Sequence, residues 1–209
     1  MDAVESQSIE RFLEALASRS PTPGGGSAVA LMGAMAAALV SMVANLTVGK
    51  KDYLAVESAM RRLDEDAAGL RVKILGLVEE DMAAFEKVMA AYRLPKETDQ
   101  QKSERSEAIQ AGLKVATQVP LACAGLCREV IFLSAIAADQ GNRNVLSDAG
   151  VAALAAHAAF RSAVLNVRVN LGGIRDGGFV TESLKTLEDL AVGLDHDVES
   201  IYALVQSRL

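Results

Sequence analysis

The sequence is poor in the residues that mark β-rich, secreted and metal-binding proteins. Its 209 residues include no tryptophan, only 4% aromatic residues, two cysteines and two histidines. Strands favour aromatic and β-branched side chains whereas alanine favours helices, so this composition predicts a mostly helical chain. The cysteines, Cys123 and Cys127, are too few for a secreted disulfide framework and lack the spacing of a metal knuckle, and we predict no metal site.

Clustered positive charge and a secretory leader are also missing. The formal net charge is −6, and the basic residues form no patch of the kind that neutralises phosphates, so we predict no nucleic-acid partner. The first residues, MDAVESQ, carry acids where a signal peptide has a basic region, which indicates a cytoplasmic protein. With 51% apolar residues, the length fits one globular domain over residues 1–209.

Hydrophobic periodicity divides the chain into six predicted helices. The second is apolar on nearly all sides, which is typical of either a membrane span or the buried centre of a bundle. Its apolar residues are largely alanine and glycine, which favour membrane insertion only weakly, so we predict an all-α bundle around this central helix and no membrane partner. The predicted helices cover about residues 6–19, 26–48, 53–91, 98–139, 145–171 and 181–207.

A proline- and glycine-rich segment, SPTPGGGS, precedes the central helix at residues 20–27. Consecutive glycines permit tight turns, and the free N–H groups of a first helical turn attract anions. The segment lacks the Gly-Lys-Ser/Thr ending of a phosphate-binding loop and follows no strand, so nucleotide binding is not predicted. Two interpretations stay open: a ligand-binding loop, or a tight turn followed by an N-cap at Ser27.

Polar side chains inside apolar helices are the other candidate site residues. Because buried amides need hydrogen-bond partners, such residues either pair with a neighbouring helix or contact a ligand. For the polar residues at the start of the fifth helix, the simple alternative to ligand binding is ordinary helix capping. For Asp81 on the third helix, the alternative is an aspartate exposed to solvent. The polar residues are Ser41 and Asn45 on the second helix, Asn142, Asn144, Ser147 and Asp148 before or in the fifth, and Ser162, Asn166 and Asn170 along it.

The segment SPTPGGGSAVALMGAMAAALVSMVANLTVGKKDY, residues 20–53, resembles the start of the cyclodeaminase domain of formiminotransferase-cyclodeaminase. That family includes stand-alone bacterial methenyltetrahydrofolate cyclohydrolases. Further matching segments follow in order along nearly the whole chain: EEDMAAFEKVMAAYRLPK, VPL, GNRNVLSDAGVAALAAHAA and NVRVNL. The resemblance implies an all-helical bundle of about six helices, usually a homodimer, with folate in a cleft near the subunit interface and no metal or redox cofactor.

The resemblance also implies chemistry at a carbon bridging two nitrogens of tetrahydrofolate. A cyclohydrolase adds water to the methenyl carbon of 5,10-methenyltetrahydrofolate, and the adduct opens to 10-formyltetrahydrofolate. A cyclodeaminase closes N10 of 5-formiminotetrahydrofolate onto the formimino carbon and releases ammonia. Because the sequence has no formiminotransferase half, we predict the cyclohydrolase, with the cyclodeaminase as the alternative and a non-catalytic folate-binding or oligomerisation module as a further one.

Both reactions need a positioned group that transfers protons. Within the family resemblance, Asp81 is the first candidate for this general base, because burial in its apolar stretch would raise its pKa, and Asp148 is the second. Lys50 is a candidate for binding the carboxylates of the folate glutamate tail, which can be a polyglutamate, with the glycine segment as the alternative. The predicted substrate-binding residues are Pro23, Gly24, Gly25, Gly26, Ser27, Asn45, Lys50, Asn142, Ser147, Asn166 and Asn170.

Overall fold

A computed structural model describes residues 7–209 of the chain, and within this range the regular structure is entirely helical. The all-α prediction is therefore confirmed. Two 3₁₀ turns, Lys51–Val56 and Arg143–Val145, lead into the third and fifth helices. The α-helices are α1 (Ile9–Leu16), α2 (Gly25–Asn45), α3 (Glu57–Tyr92), α4 (Asp99–Gln140), α5 (Leu146–Leu171), α6 (Gly177–Ala191) and α7 (Leu194–Arg208).

Four of these helices form the body of the bundle. α2 packs against α3 and α5, α4 packs against the same two helices, and α2 approaches α4 across the middle. α7 contacts α4 and α5, and α6 contacts α4. Because short connections join successive helices, neighbours in the chain run antiparallel, and the start of α2 lies beside the second half of α3.

Small side chains allow α2 to occupy the centre of this arrangement. Ala36, Ala37 and Val40 are fully buried. A Cβ added to Gly33 would lie 3.0 Å from Cys127 Sγ and 3.2 Å from Ile74, so a glycine here permits the close approach of α3 and α4. The predicted central helix is confirmed, although one side of it stays uncovered in the single chain.

The uncovered side of α2 is an apolar stripe. Met35 is 51% exposed, Met42 is 43% exposed and Leu46 is 39% exposed. Their spacing of seven and four residues places them on one face of the helix. We call these three residues the α2 stripe.

Within residues 7–209, three helical segments are long and apolar enough to cross a membrane by length and composition, namely α2, α4 and Arg143–Leu171. In the bundle, 61%, 50% and 44% of their respective apolar windows are buried against other parts of the chain. α3 packs beside α2 and exposes charged side chains that include Glu65, Lys73 and Glu80. Such a charged face does not suit a lipid environment, but the absence of a membrane partner stays a prediction.

The helix predicted over residues 181–207 is wrong in one respect, because the structure divides it into α6 and α7. Gly193 adopts a positive φ of 74°, a left-handed conformation that favours glycine and ends the continuous helix. The hydrophobic pattern continues through this break, with Leu187, Leu194 and Val198 all buried. Periodicity alone therefore did not reveal it.

The first helix is shorter than predicted within the described residues. Its predicted start at Ser6 lies outside them, and α1 begins at Ile9 with Ser8 as its N-cap, whose hydroxyl accepts from the Arg11 backbone N–H at 3.2 Å. The sequence pattern predicts an apolar face of Ile9, Phe12, Leu13 and Leu16 on this helix, and of these only Phe12 is buried.

Candidate functional site

The first turn of α2 holds the carboxylate of Asp81, which comes from α3. Ser27 Oγ donates a hydrogen bond to Asp81 Oδ2 at 3.0 Å, and the backbone N–H of Ser27 also donates to this carboxylate. A Cβ on Gly26 would overlap the carboxylate, coming within 2.7 Å of Oδ2. The glycine run therefore allows a negative charge to sit directly on the helix N-terminus, where the free amides and the helix dipole favour an anion.

This arrangement corrects one sequence-based interpretation. Gly24, not Ser27, is the N-cap of α2, and the helix begins at Gly25. The Ser27 hydroxyl is fully buried in the bundle and donates to Asp81 instead of capping its own helix. Pro23, which follows a cis peptide bond, is half-buried just before the cap.

Two opposing effects set the proton affinity of Asp81. Burial raises its pKa above the ordinary value of 3.8, because desolvation disfavours the charged form. The hydrogen bonds from the side chain and backbone of Ser27 stabilise the carboxylate and offset part of that rise. The net direction is upward, which makes the ionised carboxylate a stronger proton acceptor than a solvated aspartate.

α5 brings two amides to the same end of the bundle. A Cβ on Gly25 would lie 4.0 Å from Asn166 Oδ1, so this amide faces the first residue of α2. One turn later, Asn170 Nδ2 donates to the Ala116 carbonyl of α4 at 2.8 Å. Asn170 thus pairs with a neighbouring helix, whereas the half-buried Asn166 has no side-chain hydrogen bond to any other described residue and can bind a ligand.

The remaining predicted residues lie at the opposite end of α2. Asn142 is buried there, and its backbone N–H donates to Thr47 Oγ1 at 2.9 Å while its Nδ2 donates to the Leu46 carbonyl at 2.9 Å. These bonds join the end of α4 to the end of α2, which is a structural role. Around this end lie the half-buried Asp148 and the exposed Asn45, Lys50 and Ser147.

The length of α2 separates the two groups. Its 21 residues span about 30 Å, so within one chain Asp81 and Asp148 cannot contact the same reacting atoms. We call the first group, Gly24–Ser27 with Asp81 and Asn166, the N-terminal site. The second group, Asn45, Lys50, Ser147 and Asp148, is called the C-terminal group.

No three His, Cys, Asp or Glu side chains converge anywhere in residues 7–209 in a way that could hold a metal ion. Cys123 and Cys127 are buried core residues whose sulfurs lie 4.0 Å apart. His157 Nε2 lies 2.7 Å from Asp195 Oδ1 on α7, away from the N-terminal site. The absence of a metal requirement remains a prediction.

Comparison with known proteins identifies the relatives of this bundle. A family model described as formiminotransferase-cyclodeaminase matches residues 8–189. The chain belongs to this family. The matched range contains every segment on which the resemblance was based, together with both groups of predicted site residues, so the resemblance is confirmed.

Members of the formiminotransferase-cyclodeaminase family differ in length and in named activity. A methenyltetrahydrofolate cyclohydrolase of Methylorubrum extorquens is 52% identical over 204 residues, which are 98% of each chain. A formimidoyltransferase-cyclodeaminase of Sus scrofa is 34% identical over 201 residues, which are 96% of this chain but 36% of that protein. The crystal structure of a formiminotetrahydrofolate cyclodeaminase from Thermotoga maritima, 36% identical, matches 99% of this chain and 97% of its own with a TM-score of 0.83.

Proposed function

We propose that this protein hydrolyses 5,10-methenyltetrahydrofolate to 10-formyltetrahydrofolate. The observation that carries the proposal is the desolvated carboxylate of Asp81, held by Ser27 on the first turn of α2, with the amide of Asn166 facing Gly25 in the same turn. The 52% identity to a methenyltetrahydrofolate cyclohydrolase over 98% of both chains supports the choice of reaction.

Asp81 acts as the general base and then as the acid. Its carboxylate accepts a proton from water while the water oxygen forms a bond to the methenyl carbon, and the N5–C–N10 cation becomes a neutral tetrahedral adduct. The bond from that carbon to N5 then breaks, N5 takes the proton from Asp81, and the hydroxyl of the adduct loses its proton as the formyl C=O forms. One proton is released overall, which balances the loss of the substrate's positive charge.

The neighbours of Asp81 orient this chemistry. Ser27 Oγ donates to Oδ2 and fixes the orientation of the carboxylate, whose remaining lone pairs can accept the proton from water. The bound cationic substrate lies beside the carboxylate and favours its ionised form, so the raised pKa does not keep Asp81 protonated during the attack. Asn166 donates to, or accepts from, the pterin or the attacking water through a neutral amide, which holds the reacting atoms in place.

We further propose that two copies of the chain form a homodimer through the α2 stripe. An apolar row that runs from the middle of an otherwise buried helix to its C-terminal end is typical of a surface that another subunit covers. Around a two-fold axis that is perpendicular to α2 and passes near Met35, the middle of the helix, the two copies run antiparallel, so the C-terminal end of one lies against the N-terminal end of the other. The C-terminal group of one subunit would then approach the N-terminal site of its partner, and together they would form the folate cleft.

This dimer predicts complementation between two inactive chains. A mixture of Asp81→Asn and Asp148→Asn subunits contains heterodimers in which one cleft has both native aspartates, so activity should return when the chains are mixed and exchanged. A fully active Asp148→Asn protein would show that Asp148 has no part in the cleft, and two inactive variants that regain no activity on mixing would contradict this dimer.

Cyclodeamination of 5-formiminotetrahydrofolate is the second candidate. The Thermotoga maritima structure is named as a formiminotetrahydrofolate cyclodeaminase, and the longer Sus scrofa relative is named as a formimidoyltransferase-cyclodeaminase. The same carboxylate can serve this reaction, because N10 must lose a proton as it attacks the formimino carbon and the departing nitrogen must gain one to leave as ammonia.

The remaining expectations follow the family. We propose that the reaction uses no metal or redox cofactor, that the substrate is a folate with one or more glutamates, and that the protein works in the cytoplasm without a membrane or nucleic-acid partner. The net charge of −6 and the charged face of α3 support the last point.

Parallel assays distinguish the candidates. Loss of the near-ultraviolet absorbance of methenyl-folate reports ring opening, and its appearance together with ammonia release from formimino-folate reports cyclodeamination. We expect wild-type protein to accelerate the first reaction well above the buffer rate. Activity only with formimino-folate would establish the second candidate, and binding of folate without turnover of either substrate would establish the non-catalytic alternative.

A further inference from the structure

A pair of arginines lines a separate cavity beyond Asp81, at the end of the bundle where α3 stops. Arg105 from α4 and Arg175 from the α5–α6 connection face a cavity of about 250 Å³. Tyr92, the last residue of α3, also lines it and lies about 16 Å further along the helix than Asp81. The other lining residues are Ser106, Ile109, Gln110 and Gly173.

Neutral oxygen atoms hold both arginines in place. Arg105 Nε and Nη2 donate to the Tyr92 carbonyl at 3.2 Å and 3.1 Å, and the guanidinium carbon lies 5.5 Å from the centre of the Tyr92 ring. Arg175 Nη1 donates to Ser106 Oγ at 2.9 Å, and its backbone N–H donates to Gln110 Oε1 at 2.7 Å. These contacts orient the two guanidinium groups before any ligand binds, which lowers the entropy lost on binding.

No carboxylate neutralises either arginine among the residues that the structure describes. The ion pairs within residues 7–209 include neither Arg105 nor Arg175. The acid next to Arg175 in the chain, Asp176, instead accepts from Lys114 Nζ at 2.6 Å and from the Phe179 backbone N–H. The cavity therefore keeps two positive charges whose planar donor groups match the geometry of carboxylates.

The cavity lies beyond the same end of α2 as the N-terminal site. Asp81, Phe85 and Tyr92 are separated by four and seven residues, so they follow one face of α3 from the proposed base to the arginine pair. On α5, Asn166 beside Gly25 is seven residues before Gly173, whose carbonyl accepts from Gln110 Nε2 at 2.9 Å at the cavity. Both helices thus lead from the proposed reacting centre to the two arginines.

We propose that Arg105 and Arg175 form a subsite that binds the carboxylates of the folate glutamate tail. This inference rests on the proposed function, because the tail is the carboxylate-bearing part of a folate and lies at the opposite end of the molecule from the pterin. The subsite replaces Lys50 in this role. Within one chain Lys50 lies at the far end of α2, about 30 Å from Asp81, and across the proposed dimer it would approach the reacting centre instead of the glutamate end of the folate. It is also a single exposed charge.

The test compares methenyl-tetrahydrofolate carrying one glutamate with the same compound carrying three. In the Arg105→Gln/Arg175→Gln double variant we expect KM for the triglutamate to rise by about tenfold, with a smaller rise for the monoglutamate and kcat within about twofold of wild type. If the double variant folds poorly, the single variant Arg175→Gln, which removes an exposed side chain, takes its place in the same comparison of KM. Arg93→Gln is the matched control, because Arg93 lies at the same end of the bundle but pairs with Glu86 at 3.6 Å.

A binding measurement separates this inference from the proposed function. We expect p-aminobenzoyl-triglutamate, titrated calorimetrically into the intact protein, to bind the wild type about tenfold more tightly than the arginine variants, and more weakly as salt increases. Unchanged KM and Kd in those variants would overturn the subsite, as would a tenfold effect of Lys50→Gln alone. Absence of any folate turnover by the wild type would instead overturn the proposed function.

Discussion

Replacing Gly26 by alanine should displace the carboxylate of the proposed base, Asp81, while leaving the carboxyl group itself in place. The added Cβ would lie 2.7 Å from Asp81 Oδ2 and nearer still to Oδ1, whereas ordinary van der Waals contacts begin near 3.4 Å. The carboxylate must therefore move by at least about 0.7 Å, which disrupts its bonds to Ser27 and its alignment with the water. Because a misplacement of about 1 Å can lower a rate by about 10²-fold, we expect kcat to fall by about that factor.

The effect of Gly26→Ala on stability should be small by comparison. Alanine within a helix is favoured over glycine by about 0.5–1 kcal/mol, while weakening hydrogen bonds to a charged acceptor costs about 1.5–3 kcal/mol. Relief of the desolvation of Asp81 offsets part of that cost, so we expect Tm to stay within about 4 °C of wild type.

Steady-state kinetics on methenyl-folate and thermal melts by circular dichroism measure the two effects. Gly69→Ala is the control, since a Cβ at this α3 position would meet nothing within 4 Å and should leave kcat unchanged. Normal kcat for Gly26→Ala would refute the inference that the glycine run leaves room for the Asp81 carboxylate at the start of α2. A fall in kcat accompanied by a collapse of the melt would assign the glycine to folding instead.

Three further predictions follow from the same contacts. Because the pKa of Asp81 is raised in the folded protein, its ionisation lowers the stability of the wild type as pH rises above about 3.8. The unfolding free energy of Asp81→Asn minus that of the wild type should therefore increase over this pH range. Melts that show no such increase would contradict the raised pKa. Light scattering at micromolar concentration should give twice 22.0 kDa for the wild type and a lower mass for Met35→Glu, and a wild-type monomer would contradict the dimer. Chelators should leave turnover unchanged, whereas a loss restored by Zn²⁺ would contradict the absence of a metal.

The helical architecture could be predicted because it depends on local patterns. The alanine-rich apolar run of α2 and the low aromatic content indicate close-packed helices, and both are properties of the sequence alone. The split between α6 and α7 could not be predicted, since Gly193 is a single residue within a continuing hydrophobic pattern. Its effect depends on a backbone conformation that composition does not reveal.

The candidate site could be predicted only in part, because contacts distant in sequence decide it. The glycine run and Asp81 were both recognised as candidates. Ser27, which follows the run, is 54 residues from Asp81, and no local signal indicates that it donates to Asp81 instead of capping α2. Asn142 has an amide side chain of the kind that often binds ligands, yet its hydrogen bonds to Thr47 and Leu46 join the ends of α4 and α2. Arg105 and Arg175 were missed, because their common cavity exists only when α4 and the α5–α6 connection meet.

The most direct test of the account is the turnover of 5,10-methenyltetrahydrofolate by wild-type protein and by Asp81→Asn, measured as the loss of near-ultraviolet absorbance. Asparagine keeps the size of the side chain and can accept from Ser27, but it cannot take a proton from water at neutral pH. We predict that the wild type turns over, and that Asp81→Asn loses about 10²-fold or more in kcat with a smaller change in KM and an intact melt. Near-normal kcat in a folded Asp81→Asn protein would contradict the assignment of Asp81 as the base.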